Sequence, residues 1–158
     1  MGSDSDFDVV SDALKQLRQF GIPHEAHVIS AHRTPIEAQK FAVSARENGF
    51  GVIIAAAGKA AHLAGFLAAY TTLPVIGLPI ESSTMDGLDS LLSIVQMPSG
   101  VPVATVAIGG AQNAALLAAQ ILAVSDDELE EKLTVFKLSL AIKTIEKDKA
   151  LQEKMQNI

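Results

Sequence analysis

The chain has no cysteine, which removes disulfide frameworks and thiolate metal sites from consideration. It also lacks an excess of base. The formal net charge is −6 over 158 residues, whereas a surface built for a phosphate backbone needs clustered Lys and Arg, so nucleic acid is not an expected partner. The first residues lack the charged and apolar regions of a secretory leader. No apolar run reaches the roughly 20 residues of a membrane span. The most apolar stretch, 104–124, is interrupted by Gly109, Gly110, Gln112, Asn113 and Gln120. No phosphate-loop or dinucleotide fingerprint occurs, because Gly109-Gly110 lacks the G-x-G-x-x-G spacing, and no His, Asp or Glu set has metal-ligand spacing. The expectation from these absences is a cytoplasmic chain with no metal site and no membrane partner.

What remains is an apolar body. The length suits one domain, and such a chain buries roughly 70% of its unfolded surface, enough for a core without staples. Charged residues make up 19% of the chain, and many follow Ser125. The Ala-rich part before it therefore has few charges to expose, which points to helix faces covered in a homo-oligomer.

Strands and helices alternate along that body. Phe7, Val10, Leu14 and Leu17 recur at helical spacing and predict a helix over 7–20, with Asp6 as N-cap and Gly21 as the stop. A strand is expected over 24–29, then a helix over 35–48 with Pro35 at its first position and Gly49 at its end. Short apolar runs predict strands over 51–56, 74–78 and 102–108, and helices over 61–70, 87–96 and 113–124 lie between and after them. Near-continuous apolar strands alternating with helices are the pattern of a parallel sheet covered on both faces. Ser125-Asp126-Asp127-Glu128 reads as a capping box opening a long C-terminal helix striped by Leu129, Leu133, Phe136 and Leu140. The expected organisation is one domain, with an α/β core over 1–124 and the C-terminal helix over 125–158.

Polar clusters fall at the strand-to-helix turns, where ligands bind in open α/β sheets. Gly2-Ser3-Asp4-Ser5-Asp6 offers hydroxyls and backbone N–H groups to a phosphate, with Asp6 able to accept from ribose hydroxyls; a plain N-cap turn is the other reading. Ser30-Ala31-His32-Arg33-Thr34-Pro35 sets a proton carrier beside a fork-shaped anion binder at a helix entrance. General acid–base catalysis by one such His contributes typically 10²–10⁴-fold. In Ala57-Gly58-Lys59-Ala60-Ala61-His62-Leu63, small residues allow a ligand close to the backbone. His62 reads there as a pocket residue or a structural one. Lys59 reads as a solvated loop charge, or as a second cation facing an anion. Ser82-Ser83-Thr84-Met85-Asp86-Gly87, Gln96-Met97-Pro98 and Gly109-Gly110-Ala111-Gln112-Asn113 are polar turns that say little alone, and Asn113 reads as an N-cap. His24 and His27 read as structural.

Together these motifs, with Gly87-Leu88-Asp89-Ser90-Leu91-Leu92-Ser93-Ile94-Val95-Gln96-Met97-Pro98, closely resemble the class I 5-(carboxyamino)imidazole ribonucleotide mutases of purine biosynthesis over nearly all of the chain up to Val124. The resemblance implies a flavodoxin-like three-layer α/β/α sandwich and a homo-octamer. It implies an isomerase that moves a carboxylate from the exocyclic nitrogen of an aminoimidazole ribonucleotide to ring carbon C4, without ATP, metal or organic cofactor. His32 stands at the position of the general acid and base, and His62 at a second catalytic position. Gly2, Ser3, Asp6, Ser30, Arg33, Ala57, Gly58, Ala60 and Leu63 stand at substrate-binding positions. Two other activities suit the same residues. One is the class II carboxylase reaction, which uses free CO₂, although Ala60-Ala61-His62-Leu63 is similar to the first class. The other is non-catalytic binding of a phosphate ligand. The sequence departs from the family pattern at Lys59, usually Gly, at Ala64, usually Pro, and at Phe66, usually Met. Its 109–113 loop is shorter, and the residues here do not supply the strand expected before Gly2, at the centre of the sheet.

Overall fold

The computed structural model describes residues 1–82 and 85–156. The chain divides into two compact units, Met1–Leu122 and Ala123–Ile158.

The first unit is built on a parallel sheet. Strands β1 (Ile53–Gly58), β2 (Val75–Ile80) and β3 (Ala104–Thr105) lie in the order β1-β2-β3. The register pairs Ile53 with Val75 and Gly58 with Ile80, while β3 adds only Ala104 opposite Ile76 and Thr105 opposite Gly77. Every residue of β2 is buried, as expected of a central strand covered on both faces.

Helices cover those faces. On one side α2 (Pro35–Ser44), α3 (Leu63–Ala68) and α4 (Leu88–Val95) contribute Ala38, Ala42, Leu63, Ala64 and Ile94 to a core shared with Ile53, Ala55 and Val75. On the other, α1 (Phe7–Gln19) and α5 (Ala111–Ala123) bring Ala13, Leu17, Ala114, Ala115 and Ala118 against Ala56, Ile76 and Leu78. The result is the flavodoxin-like three-layer α/β/α arrangement. Alanine at so many helix contacts lets the helices lie close to the sheet. Gly77 takes this furthest, since a Cβ there would stand 2.2 Å from Ile94 Cγ2.

Several boundaries differ from the sequence reading. The strand expected over 51–56 runs two residues later, so Ala57 and Gly58 belong to β1 and the turn is left to Lys59 and Ala60. The strand expected over 102–108 pairs through only two residues. Beyond them the chain is held to β2 by Val106 N–H on Gly77 C=O (3.1 Å) and Gly109 N–H on Pro79 C=O (2.9 Å). Asn113 is not a cap but sits inside α5, which starts at Ala111. In α1 the buried stripe includes Ala13 and Leu17, whereas Phe7 is exposed.

The strand expected over 24–29 does not form as a ladder strand. Among the described residues its backbone partner is Met1, whose α-ammonium donates to His27 C=O (2.8 Å) and whose C=O accepts from Ile29 N–H (2.9 Å). Gly2 N–H then donates to Ala56 C=O (3.0 Å). A two-residue bridge therefore links this segment to β1. A cavity of about 310 Å³ opens between them, lined by Met1, Leu17, Ile22, Ile29, Phe50 and Ile54 among others.

The second unit is the long helix α6 (Asp127–Met155). Its cap is Asp126, not the first residue of the expected box: extended Asp126 accepts from Leu129 N–H at 3.0 Å, the N-cap-to-N3 spacing. Leu129 and Leu133 are buried, while Leu140 is exposed. Among the described residues no helix is long and apolar enough to cross a membrane. Asn157 and Ile158, the end of the expected helical segment, lie outside the described residues.

Candidate active site

The carboxyl ends of β1 and β2, the 30–34 turn and the first six residues meet around a cavity of about 710 Å³. Each wall has a local cause. Thr34 closes the turn at 30–34 on itself. Its Oγ1 accepts from Ser30 N–H (2.9 Å) and donates to Ser30 C=O (3.1 Å), and its own N–H reaches the same carbonyl (2.9 Å). Pro35 then starts α2 with the φ a helix needs. The tight turn projects Ala31, His32 and Arg33 as neighbours on the cavity wall.

Arg33 is held from two sides. Its N–H donates to Ser30 Oγ (3.1 Å), and its guanidinium reaches Gly2 C=O through Nη2 (3.1 Å). Among the described residues no carboxylate pairs with it, so its fork keeps donors for a further anion. Beside it lie the serines of the first loop. Ser3 caps the short 3-10 turn Asp4–Asp6 and accepts from Ser5 N–H (3.3 Å) and Ser5 Oγ (2.8 Å). Asp6 is buried at 7% exposure, yet lines the cavity. It precedes α1 without capping it, because its side chain accepts no helix N–H.

The third wall is the turn after β1. Ala57, Gly58, Lys59 and Ala60 line the cavity, followed by His62 and Leu63 at the entrance to α3. His62 sits at the N-cap position without a side-chain cap bond. Its ring turns instead to His32: Nδ1 of His62 lies 2.9 Å from Nε2 of His32, the ring planes 80° apart. A contact of that length between imidazoles requires one nitrogen to donate and the other to accept, which fixes complementary tautomers. Residues 30 positions apart in the sequence thus form a proton-carrying pair beside Arg33.

All eleven residues singled out in the sequence line this one cavity: His32, His62, Gly2, Ser3, Asp6, Ser30, Arg33, Ala57, Gly58, Ala60 and Leu63. Ser5 of the first cluster and Ser82 of the 82–87 turn also line it, as do Ile80 and Glu81, which no sequence motif marks. Three of these directly end or follow β2, and their signal was available in the rule that ligands gather at the carboxyl ends of strands. Ser82 Oγ donates to Asp89 Oδ1 (3.1 Å), which ties the wall to α4. Ser83 and Thr84 of the same cluster lie outside the described residues. The turns at 96–98 and 109–113 do not line the cavity. His24 and His27 stand away from it, with His24 Nδ1 2.8 Å from Ile22 C=O and His27 Nε2 3.0 Å from Glu25. Among the described residues no group of three or more His, Asp or Glu side chains is arranged to hold a metal ion.

An anion-binding fork, a buried ribose-type acceptor and a coupled imidazole pair in one cavity suit proton transfer on a phosphorylated, hydroxylated small molecule. Comparison with known proteins agrees. The family model described as AIR carboxylase matches residues 1–143. The chain is 56% identical over 153 residues to the N5-carboxyaminoimidazole ribonucleotide mutase of Pyrococcus horikoshii, covering 97% of this chain and 86% of that protein. It is 55% identical over 136 residues to the chloroplastic phosphoribosylaminoimidazole carboxylase of Vigna aconitifolia, covering 86% of this chain but 24% of that longer protein. The crystal structure of Treponema denticola PurE matches with a TM-score of 0.85 at 31% identity, over 96% of this chain and 94% of that one.

Proposed function

The chain belongs to the AIR carboxylase family, and on that premise we propose that it converts 5-(carboxyamino)imidazole ribonucleotide to 4-carboxy-5-aminoimidazole ribonucleotide, a step of purine biosynthesis. The observation that carries this reading is the 2.9 Å contact of His32 with His62 inside a cavity that also holds Arg33.

The chemistry follows from what the migration demands. Protonating the carbamate nitrogen breaks its bond to the carboxylate carbon and releases CO₂, leaving an electron-rich ring. C4 then attacks the same CO₂ to form the new C–C bond, and the C4 proton must leave. His32 delivers the first proton as its imidazolium and removes the second as its neutral form, so the cycle closes without net proton change. His62 accepts or donates at the other end of the hydrogen bond and holds the His32 ring in the working tautomer. Arg33 grips the ribonucleotide phosphate with Ser3 and Ser30 alongside, and Asp6 accepts from the ribose hydroxyls. Gly2, Ala57, Gly58, Ala60 and Leu63 bring wall and backbone against the base, and a small apolar chamber there hinders CO₂ escape.

The same premise extends to assembly and location. We place the enzyme in the cytoplasm as a homo-octamer. Ile36 and Val43 on α2 and Leu88, Leu92 and Val95 on α4 are exposed in the isolated chain, and an apolar surface of this kind supports burial against further copies. Light scattering at the mass of eight chains is expected; a monomer removes the octamer.

The test of the activity is a turnover assay with two arms, the carboxyamino substrate in CO₂-free buffer and the uncarboxylated aminoimidazole ribonucleotide with bicarbonate. The mutase gives product rapidly in the first arm. Comparable rates from free CO₂ in the second would make the enzyme a carboxylase, the activity named for the Vigna relative. Binding without product in either arm would leave a non-catalytic ribonucleotide module.

A further inference from the structure

Lys59 stands apart from the rest of the cavity wall. It adopts φ +55°, in the left-handed region. For a side chain other than Gly this is strained, and such strain persists where the surroundings or a function hold it. It lines the cavity, remains exposed, and forms no ion pair among the described residues. Arg33 and Lys59 are the two permanent cations on the walls.

The backbone around it is open as well. Among the described residues the N–H groups of Lys59 and Ala60, both on the cavity wall, donate to no backbone carbonyl outside the β1–β2 ladder. A left-handed residue followed by such an amide, with an unpaired ammonium at the same turn, is a setting for an oxyanion.

The position of the turn decides which oxyanion. Arg33 belongs to the wall with Gly2, Ser30 and the serines, reached through Gly2 C=O. Lys59 is on the turn after β1, three residues from His62, whose ring touches His32. An anion there lies beside the imidazoles, where the proposed chemistry happens. We propose that Lys59 is a specificity-determining residue that binds the migrating carboxylate, distinguishing carboxylated from uncarboxylated ribonucleotides, while Arg33 takes the phosphate. The inference rests on the mutase reading above.

The reaction gives this role a kinetic signature. The carboxylate is charged on the exocyclic nitrogen and again on C4, but CO₂ between the two is neutral. Lys59 therefore stabilises substrate and product more than the intermediate, which strengthens binding without accelerating the chemistry. Replacing it raises KM and leaves kcat equal or higher.

Wild type, Lys59→Met, Lys59→Arg and Lys59→Gly proteins are compared by calorimetric binding of the aminoimidazole ribonucleotide and its 4-carboxy derivative, and by turnover. Lys59→Met is expected to weaken the 4-carboxy compound about tenfold, as loss of one charge-assisted bond does, with less than about a twofold change for the uncarboxylated one. Lys59→Arg restores the discrimination. Lys59→Gly loses it like Met but melts about 2–4 °C higher, because the left-handed strain is gone. Equal weakening of both ribonucleotides by Lys59→Met, or of neither, overturns the role. A wild type that binds both compounds with the expected preference yet turns nothing over removes the mutase reading and leaves carboxylate recognition standing. A wild type that binds neither removes both.

Discussion

Met1 and Gly2 lie between two cavities of opposite character. On the Gly2 side is the larger one, where hydroxyls, carboxylates, imidazoles and cations converge. On the Met1 side is the smaller one, walled by Leu17, Ile22, Ile29, Phe50 and Ile54. The polar cavity is organised by hydrogen bonds within turns. The apolar one lies between the 24–29 segment and β1, and among the described residues Met1 and Gly2 link its two banks. Function and stability therefore occupy adjacent but separable places. Side-chain changes in the polar cavity should alter kinetics while leaving melting nearly unchanged, Lys59→Gly excepted because it relieves backbone strain. Changes in the apolar one should do the reverse.

The largest effect expected on the polar side is from His32→Asn. The amide keeps a hydrogen-bonding group opposite His62 but does not carry a proton through the cycle, so kcat should fall by about 10²–10⁴-fold with little change in melting temperature. Activity retained in the variant would take the proton transfers away from His32. Next comes Arg33→Ala. Its guanidinium is exposed and its bonds to Gly2 and Ser30 are local, so KM should rise about 10–100-fold with melting almost unaffected. An unchanged KM contradicts the phosphate grip, and a large drop in melting temperature would show that the bond to Gly2 C=O holds the two cavities apart.

The third prediction reverses the pattern. Leu17→Ala removes a buried side chain of α1 from the wall of the apolar cavity, a truncation that costs about 2–5 kcal/mol. Tm should fall by about 5–15 °C, with KM unchanged. An unchanged Tm, or a KM that moves with it, would break the separation of the two cavities.

The two cavities were unequally legible in the sequence. The polar one could be read almost entirely, because its residues sit in short motifs beside predicted strand ends, and a parallel sheet brings those ends to one edge. The pairing of His32 with His62 could not be read, since it depends on how far the turn after β1 leans toward the 30–34 turn. The strand limits slipped for a related reason: Ala57 and Gly58 look like a turn, but buried small residues extend β1 until Lys59 takes a positive φ. The segment over 24–29 has strand composition but forms no ladder strand among the described residues, because ladder pairing depends on neighbours that composition does not encode. Likewise Asp126 rather than Ser125 caps α6, because the cap is decided by which residue leaves helical geometry.

The smallest expected effect sharpens the boundary itself. Burial pushes the Met1 α-amino group below its usual pKa, against a weaker opposing pull from Asp6. In the unfolded chain the same group titrates near its ordinary value of about 8. Between the lowered folded value and about 8, the folded chain holds this amine neutral while the unfolded chain protonates it, so the unfolded state binds more protons. Stability from this group must therefore rise as pH increases through that window, and level off below the folded value and above about 8. Urea midpoints across the window measure it, with an Nα-acetylated chain as the control. Acetylation removes the charge yet keeps an N–H for His27 C=O, so the slope should vanish and the acetylated chain should be the more stable one at the acid side. A slope that survives acetylation belongs to another group, and the ammonium would then be hydrated in the groove rather than buried at its edge.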